Sequence, residues 1–214
     1  MNSALKKPLI VAGVLILLDQ ILKIWIKTTF RLGESFELTP WFLLHFTENP
    51  GMAFGLEWGG VWGKLALSTF RILAIAGILW YMNRIAKGGA KALVLMSFGV
   101  VLAGAIGNVL DSLFYGLLFD NGLVYSSELG GWHQLSGGVA HWGTGYAPIL
   151  LGNVVDMFYF PLWEGFLPGW MPFWGGDYFV FFRPIFNLAD ACVTTGVVML
   201  YWSSRTPENW GQNR

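Results

Sequence analysis

Three Asn-x-x-Asp pairs, Asn108 with Asp111, Asn153 with Asp156 and Asn187 with Asp190, stand out in a chain of 214 residues of which only 12% are charged. Asp190 lies in Phe186-Asn187-Leu188-Ala189-Asp190, where an apolar run through Val193, Val197, Val198, Leu200 and Trp202 begins. A carboxylate at membrane depth costs at least a few kcal/mol, so it marks function and demands a partner. Asp156 is the best partner. Two carboxyls brought together cannot both ionise; they share a proton, and one serves as general base toward water while the other acts as general acid. Spaced i, i+3 on a helix, an amide and a carboxylate share one face, and the amide can orient the acid. This hydrolytic chemistry needs no nucleophilic side chain and no metal. His45, His133 and His141 show no His-Glu-x-x-His spacing, and the single Cys192 allows neither an internal disulfide nor a cysteine-rich metal cluster. No cofactor is expected.

The residues that must position these acids are those of a membrane protein. Mean hydropathy is +0.53, and the charged fraction is half of the roughly 25% usual in soluble domains. Formal net charge is zero, and no block of Lys and Arg forms a nucleic-acid footprint, so the partners are lipid or lipid-borne. Four segments, 9–27, 64–83, 92–115 and 186–203, are apolar and long enough for spanning helices. Lys6, Lys7, Arg84, Lys87, Lys91 and Arg205 then share one side, which the positive-inside rule makes cytoplasmic together with both termini. The connections 28–63 and 116–185 lie outside. The first alternates through Phe36, Leu38, Trp41 and Leu43 and turns at Asn49-Pro50-Gly51, which predicts a small antiparallel sheet. The second is rich in Gly, Pro, Trp and Phe, above all from Trp163 to Trp174, which predicts an interfacial cap. The expected architecture is an all-α membrane protein, one integral membrane domain over 1–214, with four transmembrane helices, a small extracytoplasmic sheet and the cap.

Five motifs in order resemble the lipoprotein signal peptidases (signal peptidase II), the four-helix membrane aspartyl proteases. They are Asp19-Gln20-x-x-Lys23; Asn49-Pro50-Gly51-Met52-Ala53-Phe54-Gly55; Gly104-x-x-Gly107-Asn108-x-x-Asp111; Val154-Val155-Asp156-Met157-Phe158; and Phe186-Asn187-Leu188-Ala189-Asp190. The resemblance implies that Asp156 and Asp190 are the catalytic dyad, with Asp19, Lys23, Asn49, Gly51, Asn108, Asp111 and Asn187 binding substrate or supporting the dyad. It implies lipid-modified prolipoproteins as substrates, cut before a diacylglyceryl-modified cysteine. It also implies the bacterial cytoplasmic membrane as the location, with the active site facing outward. Two departures stand out. Ser112 occupies the position where the family usually carries Arg, leaving a cation to be supplied from elsewhere, such as Arg71 or Arg183. The spacings from Asp111 to Asp156 and from Asp156 to Asp190 exceed the compact family pattern, so the outer part is enlarged.

Plainer readings stand beside these. Asp19 and Lys23 are spaced for an intrahelical ion pair, Asp111 suits a supporting role, Gly104 and Gly107 suit close helix packing, and Cys192 suits apolar packing. The competing function is a small membrane transporter or proton-conducting protein, since intramembrane acids also mark proton relays. The paired repeats and broken helices common in transporters are not visible.

Overall fold

The computed structural model describes residues 2–51, 59–205 and 210; of the second motif, Met52 to Gly55 lie outside them. A 3-10 turn, Ser3–Leu5, leads into α1 (Lys6–Thr29), followed by α2 (Gly60–Lys87) and α3 (Ala92–Leu110). The third helix does not end at Leu110. It widens into a π turn, Asp111–Tyr115, and closes with a short α4 (Gly116–Leu118). The last helix, α5, is Leu188–Ser204. Among the described residues three stretches, Ser3–Thr29, Gly60–Lys87 and Ala92–Leu118, are long and apolar enough to cross a membrane. The expected segment 186–203 begins before α5 because Ile185–Phe186 is a strand and Asn187 caps the helix.

The outward faces of α1 and α2 carry Ile10, Leu17, Ile21, Trp62, Phe70, Leu73 and Trp80, all exposed. A belt of that size is tolerable only against lipid. α3 is the most enclosed helix and packs on α5, α1 and α2, most extensively on α5. Small residues permit that approach. A Cβ on Gly104 would stand 2.2 Å from the Ala189 carbonyl oxygen, and one on Gly196 would stand 2.5 Å from Val101. Gly104 and Gly107 are therefore packing positions, as their spacing suggested.

Above the helices lies an antiparallel sheet in the order β1 (Ser35–Thr39), β2 (Phe42–Asn49), β5 (Val154–Tyr159), β8 (Ile185–Phe186). The hairpin foreseen in 28–63 is present, but two strands of the second connection complete the sheet. That connection also forms two separate hairpins, β3–β4 (Leu123–Ser126, Gly131–Gln134) and β6–β7 (Trp163–Phe166, Tyr178–Phe181). The β content is thus larger than an all-α description allows. One apolar cluster joins α1 to the sheet through Ile26, Phe46, Tyr115, Phe119, Val155 and Met157; a second, around Met82, Val94, Leu95 and Leu102, holds the other ends of α2 and α3 together.

β5 overturns one expectation. Asn153-x-x-Asp156 is not a helical pair. On a strand successive side chains alternate, so residues three apart face opposite ways, and Asn153 and Asp156 serve different surroundings.

Candidate active site

Lys23 is fully buried on α1 and sits among three acceptors: Asp19 at 2.9 Å, Asp111 at 2.8 Å and the Asn108 Oδ1 at 2.8 Å. An ammonium has donors only, so the Asn108 oxygen must face it, and the amide nitrogen must face the other way. That nitrogen donates to Asp190 Oδ1 at 2.8 Å. The same logic fixes Asn187. As N-cap of α5, its Oδ1 accepts from the Asp190 backbone N–H at 2.9 Å, while Asp190 Oδ2 accepts from the Asn187 backbone N–H at 3.3 Å, a reciprocal capping box. The Asn187 nitrogen is then free for Asp156 Oδ1, at 2.6 Å, and also lies 3.2 Å from Asn108 Oδ1. Two amides locked by a lysine and a helix cap thus each present an N–H to one carboxylate.

The two acids are not equivalent. Asp156, on β5, is 3% exposed, whereas Asp190, in the first turn of α5, is half-buried and borders a cleft of about 320 Å³ with Arg71, Asn108, Gly104, Val193 and Thr194. Burial, and next the charge of Asp190, push the Asp156 carboxyl up to about 8.

The remaining expected residues fall around this pair. Asp111 does not line the cleft. Its Oδ2 accepts the Val155 N–H at 3.3 Å, beside Asp156, while Gln20 donates to its Oδ1 at 3.0 Å. β8 is only two residues long, and Asp111 binds β5 beyond its end. Asp19 Oδ1 accepts the Ala189 N–H at 2.9 Å and so ties α1 to α5. Both acids bind the backbone of the elements that carry Asp156 and Asp190. Asn49, at the end of β2, pairs in register with Val154 and accepts the Gly51 N–H at 2.8 Å. Gly51 has φ +105°, and a Cβ there would stand 2.9 Å from Leu67, so the turn requires glycine. Asn49 and Gly51 border a narrower cleft with Lys64, Ser68, Arg71 and Ser112. Of the two candidate replacement cations, Arg71 is at the site and Arg183 is exposed.

The site also draws on residues to which the sequence assigns no role. Gln20 spans Asp19, Asp111 and the Gly107 carbonyl and accepts from the Tyr115 hydroxyl at 3.2 Å. Immediately before β5, Asn153 donates to Glu48 at 2.8 Å and to the Leu123 carbonyl at 2.8 Å, and accepts from Lys64. Glu48 is ion-paired with the buried Lys27, which also donates to the Asn121 carbonyl at 2.9 Å. Lys27 is four residues beyond Lys23 in the same apolar helix. The rule that flags an intramembrane charge flags both.

A pair of amide-held acids thus lies at the junction of the membrane helices and the small sheet. The model of the signal peptidase (SPase) II family matches residues 11–206. A lipoprotein signal peptidase of Porphyromonas gingivalis is 44% identical over 202 residues, covering 92% of this chain and 84% of that one. Another, of Amoebophilus asiaticus, is 33% identical over 199 residues, covering 91% and 76%. A bacterial membrane enzyme solved by the in meso method at 2.3 Å superposes with a TM-score of 0.55 at 21% identity, covering 97% of this chain and 93% of that one, a likeness of fold. The chain belongs to the signal peptidase II family. It is an integral membrane protease of bacteria, and the transporter reading has no support.

Proposed function

We propose that this protein removes the signal peptide from diacylglyceryl-modified prolipoproteins, with Asp156 and Asp190 as an aspartyl dyad. The observation that carries the reading is that Asn187 and Asn108 each aim an N–H at one of the two acids. Asp156, buried and held protonated at neutral pH, donates its proton to the scissile carbonyl oxygen. Asp190, open to the cleft, takes a proton from the attacking water. Collapse of the tetrahedral intermediate passes a proton to the leaving amine and regenerates the pair.

The α5 helix is the fourth span. Its 17 residues cover roughly 25 Å, close to the hydrocarbon thickness of about 30 Å, with Asp190 near the surface end. Lys6, Lys7, Arg84, Lys87, Lys91 and Arg205 put both termini in the cytoplasm, so that the sheet and the dyad face outward. Membrane lipid is the standing partner of the exposed belt. The β6–β7 hairpin, with Trp163, Phe166, Trp170, Phe173 and Trp174 exposed, is the interfacial cap.

Purified protein in micelles should cleave a peptide carrying a diacylglyceryl-modified cysteine, with turnover unchanged by chelators. Cleavage restored by a divalent metal after chelation, or activity surviving in both Asp156→Asn and Asp190→Asn, would refute the proposal.

A further inference from the structure

Arg71 is a charge in the middle of an apolar helix, roughly 16 Å along α2 from Gly60. Lys64, Ser68 and Arg71 share one face at i, i+4 and i+7. The first two have acceptors: Lys64 donates to Asn153, and the Ser68 hydroxyl donates to the Leu150 carbonyl at 3.1 Å. Arg71 differs. Asp190, Asp111 and Asp156 are its electrostatic neighbours, yet among the described residues no carboxylate forms an ion pair with it. The dyad and its supports are instead satisfied by Asn108, Asn187, Lys23 and Gln20. Arg71 nevertheless borders both clefts, the wide one with Asp190 and Asn108 and the narrow one with Asn49, Gly51 and Ser112.

A guanidinium stays charged at every working pH and offers five N–H donors and no acceptor. Placed at membrane depth without an ion-pair partner among the described residues, it is costly, and such residues face functional cavities. A peptide lying in the cleft brings the missing acceptors, its main-chain carbonyl oxygens. We propose that Arg71 is a substrate-contacting residue whose guanidinium donates to a main-chain carbonyl of the bound peptide, fixing the scissile bond beside Asp190. This rests on the dyad reading above.

The test uses the full chain in micelles with a diacylated peptide substrate. In an Asp156→Asn background, which binds without cutting, adding Arg71→Gln should weaken peptide affinity about tenfold or more, the order of one charge-assisted hydrogen bond. In the otherwise unchanged enzyme, Arg71→Gly should lose kcat/KM by at least as much, and millimolar guanidinium chloride should restore part of it; a packing defect has no reason to respond. Arg71→Lys keeps the charge but not the fork and should raise KM with thermal stability unchanged. Parental affinity in the Arg71→Gln variant, or no guanidinium rescue of a folded Arg71→Gly, overturns the assignment. Should Arg71→Gly fail to fold, Arg71→Lys decides, and a parental KM overturns it. Activity surviving in Asp156→Asn and Asp190→Asn would instead remove the dyad and leave the Arg71 measurements to stand or fall on their own.

Discussion

Replacing Asp156 by Asn should sharply reduce cleavage while making the protein more stable at alkaline pH. The carboxyl is 3% exposed and pushed up to about 8, chiefly by burial, whereas an unfolded aspartate titrates near 3.9. Between those values the folded protein holds one proton more than the unfolded chain. Stability attributable to this group is therefore highest below pH ~4 and is lost as pH rises through the folded value, at about 1.4 kcal/mol per unit. Four units set a ceiling of roughly 5 kcal/mol. Asn cannot titrate, keeps the side-chain shape, and retains an oxygen for the Asn187 N–H. Melting in micelles at pH 5 and pH 8.5 should show the parent losing on the order of 10 °C relative to the variant between the two conditions. Cleavage should fall by about 10²–10⁴-fold, the contribution of a general acid. A gap between the two melting points that does not change with pH would mean that Asp156 holds no extra proton in the folded state, and the assignment of the acid would fail.

Three further outcomes follow from the geometry. Asp111→Asn leaves the buried Lys23 with one carboxylate instead of two; it should cost about 3 kcal/mol of stability, and its residual activity should track the folded fraction, as read by melting and turnover on the same preparation. Gly104→Ala pushes a methyl against the Ala189 carbonyl, one residue before Asp190, and should reduce both melting temperature and turnover, whereas Gly13→Ala, with open space around it, should change neither. Replacing Trp163, Phe166 and Trp170 by Ser should weaken apparent affinity for a diacylated substrate more than for the same peptide with shorter chains; equal loss on both would make the hairpin structural.

Much of the site was legible because its acids break the apolar pattern. Asp19, Lys23, Asp111 and Asp190 are conspicuous wherever a spanning helix is expected, and local spacing alone pairs Asp19 with Lys23 and Asn187 with Asp190. A helical i, i+3 period does not fit Asn153 and Asp156, because Val154-Val155-Asp156-Met157-Phe158-Tyr159 is rich in the β-branched and aromatic residues of a strand. A short apolar run does not separate strand from helix by periodicity. The Glu48–Asn153 contact spans 105 residues, and no spacing rule reaches that far. Sequence alone does not choose between Arg71 and Arg183 for the missing cation; the fold brings Arg71 to the cleft that Asp190 borders and leaves Arg183 exposed.

The π turn at Asp111–Tyr115 has a consequence for chimaeras. A π turn takes in an extra residue and so shifts the phase of everything beyond it by roughly 100° relative to an uninterrupted α-helix. Asn108 keeps the phase of the membrane half; Gly116 and all that follows take a new one. The outer segment returns at that joint, where Ala147 donates its N–H to the Gly116 carbonyl at 2.9 Å and a Cβ on Gly116 would stand 2.7 Å from the Ala147 carbonyl oxygen. A foreign outer segment should therefore be spliced in after Tyr115, with Gly116 restored at the seam. The same graft made at Leu110 deletes the π turn and, with it, the Asp111 carboxylate that pairs with Lys23, and should give a protein that inserts in the membrane without assembling its site.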